Sequence, residues 1–144
     1  MNKVILITGA SSGIGKNTAL SLIKEGHVVY GAARRLEMMQ DIIQAGGHAI
    51  KMDILKERNI DDVVNQIVKE QNRIDILINN AGYGLWGAVE TISIAEAKRQ
   101  FDVNIFGLAY LTKKIIPLMR KQKSGKIINM SSMGGKVYTP FGAW

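Results

Sequence analysis

Short apolar runs alternate along the chain with segments whose apolar residues recur every three or four positions. Val4-Ile5-Leu6-Ile7 is the first run, and it stops at the Gly-rich stretch Thr8 to Gly15. Ile14, Thr18, Leu22 and Ile23 then repeat at near-helical spacing up to Gly26. Val28-Val29-Tyr30 predicts a second strand, Leu36 to Ala45 a helix ending at Gly46-Gly47, and Ala49 to Met52 a third strand. Ile60, Val63, Val64, Ile67 and Val68 mark one face of an amphipathic helix, and Ile74 to Ile78 predicts a fourth strand that ends at Asn79-Asn80-Ala81-Gly82. From Ser93 to Lys121 the period is helical again and predicts two helices, the second weakest at Gly107 and kinked at Pro117. Lys126 to Met130 predicts the fifth strand. Short apolar strands in strict alternation with amphipathic helices predict an α/β domain with a doubly wound parallel sheet and helices on both faces. No linker, low-complexity tract or repeat interrupts the series, so residues 1–144 are expected to form one domain.

Composition narrows the class. An apolar fraction of 47% excludes a disordered chain, and the absence of Cys excludes a disulfide scaffold and a Cys-based metal site. The longest apolar stretch, Ile105 to Leu111, falls far short of the roughly 20 residues that span a bilayer. Met1-Asn2-Lys3 followed by Val4 to Ile7 begins like a signal peptide, but its apolar part is too short and reads as a strand. A soluble, cytoplasmic domain is the expectation, with no membrane partner. The net charge of +7 comes from scattered basic residues, with a modest cluster at Lys113, Lys114, Arg120, Lys121, Lys123 and Lys126. Aromatics make up only 6% and are not interleaved with that cluster, so it reads as a solvated helix face and nucleic acid is not an expected partner. His27 and His48 each open a strand, far from each other and from clustered acids, so no metal site is expected. Met38, Met39 and Met119 sit at helical positions and read as core filler.

The candidate chemistry lies at the ends of the strands. Thr8-Gly9-Ala10-Ser11-Ser12-Gly13-Ile14-Gly15 joins the first strand to the first helix. A Gly-rich turn there lets the backbone approach a pyrophosphate, while the helix N-terminus offers free N–H groups and a positive dipole end. Ser11 and Ser12 add hydroxyls and can cap the helix. The spacing is neither the Gly-x-Gly-x-x-Gly fingerprint nor a P-loop, since Gly15-Lys16 is followed by Asn17.

Thr8, Gly9, Gly13, Ile14 and Gly15 match in order the Thr-Gly-x-x-x-Gly-Ile-Gly signature of the short-chain dehydrogenase/reductase family, which the sequence resembles over its whole length. The resemblance implies a Rossmann-like sheet, here with about five strands. It also implies cofactor contacts from Gly9, Ser11, Ser12, Gly13, Ile14 and Gly15. Gly31-Ala32-Ala33-Arg34-Arg35 carries no acid where a carboxylate would accept from the ribose of NAD, whereas Arg34 and Arg35 can pair with a 2′-phosphate. Two cations at a helix start, where they are mildly unfavourable, ask for an anion. NADP is therefore the expected cofactor and NAD the weaker alternative. Asp53, followed by Ile54, ends the third strand, where family members bind adenine; a plain helix N-cap is the alternative. Asn80, Ala81 and Gly82 match the family's Asn-Asn-Ala-Gly and are implied to flank the cofactor ribose. Asn104 matches the family's Val-Asn-x-x-Gly, where the Asn holds a proton-relaying water. Ser132, in Ser131-Ser132-Met133-Gly134-Gly135, matches the catalytic Ser that stabilises charge on the substrate oxygen.

The family's general acid/base is a Tyr in a Tyr-x-x-x-Lys unit, whose Lys lowers the phenol pKa. At the family's spacing from Ser132 that Tyr falls one residue past Trp144. Tyr138 lies six residues after Ser132 with Gly142 in the Lys position, and takes no catalytic role. The expectation is thus the cofactor-binding, C-terminally truncated part of an NADP-dependent oxidoreductase for a carbonyl or alcohol substrate. It lacks the family's later strands and helices, binds cofactor and is inactive alone. A non-catalytic NADP-binding module is the alternative. Family members associate through the helix carrying Asn104, so a homo-oligomer is expected, with an apolar stripe from Ile105 to Met119 seeking cover.

Overall fold

The apolar runs form five strands: β1 (Val4–Thr8), β2 (Val28–Ala33), β3 (His48–Lys51), β4 (Ile76–Asn79) and β5 (Lys126–Asn129). All are parallel and lie in the order β3-β2-β1-β4-β5 in this computed structural model, which describes residues 2–142 and 144. Met1, where the signal-peptide comparison starts, and Ala143, inside the expected domain 1–144, lie outside the described residues. β1 is central, with Leu6 opposite Tyr30 on one side and Leu77 on the other. The helices are α1 (Gly13–Lys24), α2 (Gln40–Gln44), α3 (Glu57–Gln71), α4 (Ile94–Phe101) and α5 (Leu108–Lys121).

Side chains alternate across the sheet, and both faces are covered. Ile5 and Ile7 join a core with Ala19, Met39 and Ile42 from α1, α2 and the turn before α2. Val4 and Leu6 join the opposite core with Ile60 and Ile67 of α3 and Leu111 and Ile115 of α5. Burial on two faces is why β1 reads as an unbroken apolar run rather than an alternating one. Two polar anchors fix the layers. Fully buried Tyr30 donates its hydroxyl to Glu70 Oε2 (2.7 Å) and accepts from Gln71 Nε2 (2.9 Å), tying β2 to α3, while His48 stacks on its ring at 4.3 Å. Burial, reinforced by the neighbouring Glu70 carboxylate, pushes the Tyr30 phenol up to about 12. Asp75 is buried before β4 and accepts from Val4 N–H (2.8 Å) and from the Arg73 guanidinium. Burial works against its charge, but Arg73 and the Val4 N–H outweigh it and hold the carboxyl below its ordinary value.

Several local expectations are corrected. The helix expected over Leu36 to Ala45 is a 3₁₀ turn, Leu36–Met39, followed by the short α2. Met38 is exposed rather than core filler, whereas Met39 and Met119 are buried. Ile14 is 64% exposed and leaves Gly15 and Ala19 as the buried residues of α1. Ser12 is the N-cap residue of α1, but its side chain makes no capping bond. Asp53 is not a helix cap either: α3 starts after Lys56, and Asp53 Oδ1 accepts from Leu55 N–H at 3.1 Å. The two helices expected between Ser93 and Lys121 form one run, in which a π-helical segment, Asp102–Gly107, joins α4 to α5. Gly107 marks close packing rather than a break, because a Cβ there would lie 2.7 Å from the Ile54 carbonyl oxygen. The stripe from Ile105 to Met119 divides between two faces: Leu111, Ile115 and Met119 are buried, while Ile105, Phe106 and Ile116 are exposed. Among the described residues no helix is long and apolar enough to cross a membrane, and no group of three His, Cys, Asp or Glu side chains could hold a metal ion.

Candidate nucleotide site

From central β1 the chain builds outward through β2 and β3 on one side, then returns to place β4 and β5 on the other. The connections after β1 and β4 diverge, and the crevice between them is where an open α/β sheet receives ligands. The chain stitches this crevice together with backbone-directed bonds. Thr8 Oγ1 accepts from the N–H groups of Asn80 (3.0 Å) and Ala81 (2.9 Å). Asn80 Nδ2 donates back to the Thr8 carbonyl at 3.0 Å. Gly9 takes a positive φ of 70°, and a Cβ there would lie 2.9 Å from Ala81 Cα. At Gly15 a Cβ would come within 2.4 Å of Asn80 Nδ2 and 2.6 Å of the Gly9 carbonyl oxygen. Only a chain without side chains at these two positions can lie this flat against the end of β4.

The opening of α1 is left chemically available. Its first turn holds no acid and no side-chain cap, so its N–H groups and positive dipole end have no local anion. The turn faces a cleft of about 650 Å³, within the usual range for ligand pockets. Gly9, Ser11, Ser12 and Ile14 line it from the turn, Arg34 and Arg35 from the end of β2, Asp53 and Ile54 from the end of β3, and Asn80, Ala81 and Gly82 from the end of β4. Gly13 and Gly15 shape the turn without lining the cleft. Arg34 and Arg35 are exposed and form no ion pair among the described residues. An open helix N-terminus, a side-chain-free cradle and two unpaired guanidinium groups on one cleft suit an anionic dinucleotide.

Asn104 and Ser132 lie outside that lining. Asn104 stands behind Gly82, in the π-helical segment. Its Nδ2 donates to the Tyr83 carbonyl (2.8 Å) and its Oδ1 accepts from Tyr83 N–H (3.1 Å). Ser132 is exposed beyond β5, where its Oγ accepts from Gly134 N–H at 3.0 Å.

A sequence model described as short chain dehydrogenase matches residues 3–144. The chain belongs to the short-chain dehydrogenase family. It is 42% identical over 139 residues to a 3-ketodihydrosphingosine reductase of Bacteroides thetaiotaomicron, covering 96% of this chain and 50% of the relative. The crystal structure of a short-chain dehydrogenase from Streptomyces avermitilis superposes with a TM-score of 0.93 at 37% identity, over 98% of this chain and 53% of the other. An actinorhodin polyketide ketoreductase solved with NADPH gives 0.92 at 30% identity, over 99% and 57%. This short-chain dehydrogenase chain spans about half the length of the curated relatives it matches.

Sequence reasoning missed part of the cleft wall. Tyr83, Leu85, Arg99 and Val103 also line it. The i, i+4 spacing of Arg99 and Val103 on one helix face and the alternation of Tyr83 and Leu85 were the available signals. The chain also contains one Tyr-x-x-x-Lys spacing, Tyr110 to Lys114 on α5. Its members turn to α3 rather than to the cleft of this short-chain dehydrogenase. Asp61 lies 2.9 Å from Lys114 Nζ and 3.4 Å from the Tyr110 hydroxyl. The Asp61 carboxylate and the Tyr110 hydroxyl, in that order, raise the Lys114 pKa above its ordinary value, and the ammonium pairs with α3.

Proposed function

We propose that the cleft binds NADP, with NAD the weaker fit, as the cofactor-binding half of an oxidoreductase that acts on a carbonyl or alcohol substrate. The observation that carries this reading is the pair Arg34 and Arg35, exposed on the cleft at the end of β2 where an acid would favour NAD. The actinorhodin ketoreductase solved with NADPH lends support from a relative. The pyrophosphate would rest on the α1 N-terminus beside Ser11 and Ser12, and adenine against Asp53 and Ile54. Asn80, Ala81 and Gly82 would flank the ribose. When bound, the nicotinamide exchanges a hydride with the substrate carbon. Ser132 already accepts from Gly134, which leaves its hydroxyl proton to donate to a substrate oxygen. Asn104 contributes by holding Tyr83 at the rim of the cleft. Exposed Phe101, Ile105 and Phe106 support a homo-oligomer formed through the helix that carries Asn104.

Titration of the 144-residue chain with NADPH and NADH tests the cofactor assignment. NADPH is expected to bind at least about tenfold tighter, roughly 1.4 kcal/mol, and replacing Arg34 and Arg35 together with Ala should abolish the preference. Equal affinities for the two nucleotides in the unaltered chain overturn it. The chain alone is expected to bind NADPH but to oxidise none with simple aldehydes or ketones, and steady turnover by intact 144-residue protein overturns that expectation.

A further inference from the structure

Gln100 lies on α4 four residues before Asn104, so the two side chains share one helix face. It is 6% exposed, and both ends of its carboxamide are engaged. Oε1 accepts from the Leu85 N–H, and Nε2 donates to the Trp144 carbonyl. Asn104 makes the equivalent pair of bonds to Tyr83. Two carboxamides one helical turn apart therefore hold alternate residues of the segment that follows β4. Tyr83 and Leu85 are the two residues of that segment that continue the cleft wall beyond Gly82. Gln100 and Ala97 are the buried residues of α4, and a buried carboxamide is costly unless hydrogen-bonded.

We infer that Gln100 is a positioning residue: by accepting from Leu85 it fixes the wall of the nucleotide cleft on the α4 side. The inference rests on the cleft being the NADP site, and it gives the polar identity of residue 100 a purpose. Gln100 touches no ligand itself. It acts through Leu85, as Asn104 acts through Tyr83, so that the wall is fixed at both residues by one rigid helix face.

Two variants separate the contacts. Gln100→Leu removes both bonds, whereas Gln100→Glu keeps an acceptor for the Leu85 N–H and loses the donor to Trp144. Hydrogen exchange at the Leu85 amide and NADPH titration are measured on each, with the Tyr83 amide as internal reference. In Gln100→Leu the Leu85 amide should exchange at least about tenfold faster, the Tyr83 amide should keep its protection, and the NADPH Kd should rise about 5–10-fold. Gln100→Glu should retain most of the Leu85 protection and most of the affinity. Unchanged Leu85 exchange in Gln100→Leu overturns the inference, as does a folded Gln100→Glu variant whose Leu85 amide exchanges as fast as in Gln100→Leu. If Gln100→Leu fails to fold, the Gln100→Glu result and the unaltered protein decide, and an unprotected Leu85 amide in the latter is fatal. If the unaltered chain binds no NADPH, the cofactor assignment fails while the exchange data still judge the brace.

Discussion

One methyl group separates Gly15 from a collision with Asn80. In Gly15→Ala the new Cβ would sit 2.4 Å from Asn80 Nδ2 and 2.6 Å from the Gly9 carbonyl oxygen, so the turn must lift away from β4. Overpacking of this kind costs about 1–3 kcal/mol, and thermal unfolding should register that loss together with weakened NADPH binding. Asp75 makes a separate prediction. Its carboxyl titrates below the ordinary value, so its contribution is complete above the unfolded-state pKa, about 3.9, and is lost as pH falls through the lower folded value. Asp75→Asn should destabilise the protein at neutral pH by about 1–3 kcal/mol and flatten the acid limb of a stability–pH curve measured by urea unfolding. At this scale the sequence was legible where chemistry is carried by residue type. Every cofactor-side residue named from it except Gly13 and Gly15 lines the cleft, and those two shape its turn. Leu85 was harder to read, because its N–H donates to Gln100 on a helix fifteen residues away.

Elements were legible as far as their burial is one-sided or two-sided in a regular way. α3 carries a clean stripe and forms where its apolar period says it should, with Ile60, Val63, Val64 and Ile67 buried. The run from α4 to α5 was harder to read because Gly107 has two opposite meanings: as a helix breaker it predicts weakness, and as a small residue it permits contact with Ile54. Tertiary contact chose the second. The same coupling of element to element yields a prediction at β2 and α3. Tyr30→Phe leaves Glu70 and Gln71 without their shared partner and should cost about 1–3 kcal/mol in chemical unfolding. The Tyr30 phenol, pushed up to about 12, favours the folded state fully below its ordinary value of 10.0; that contribution is lost as pH rises through 12. Ultraviolet titration should show one tyrosine ionising late in the native protein and not in Tyr30→Phe.

Over the whole molecule, large apolar side chains stand exposed that composition alone does not reveal. Phe101, Ile105 and Phe106 stand exposed along one helical run, and they support the proposed self-association. Light scattering should find oligomers that Phe106→Glu converts to monomer without altering the far-ultraviolet spectrum.

Among the described residues the cleft is lined by residues between Thr8 and Val103, and β5 adds to the sheet without lining it. In order of synthesis the nucleotide site is therefore written out before β5 leaves the ribosome. Chains grow at about 5–20 residues per second, so seconds pass in which a nascent chain already carries the whole lining of the cleft. Nucleotide present during translation should then act as a folding ligand, protecting ribosome-bound chains extended past α5 from protease, and Gly15→Ala should remove that protection.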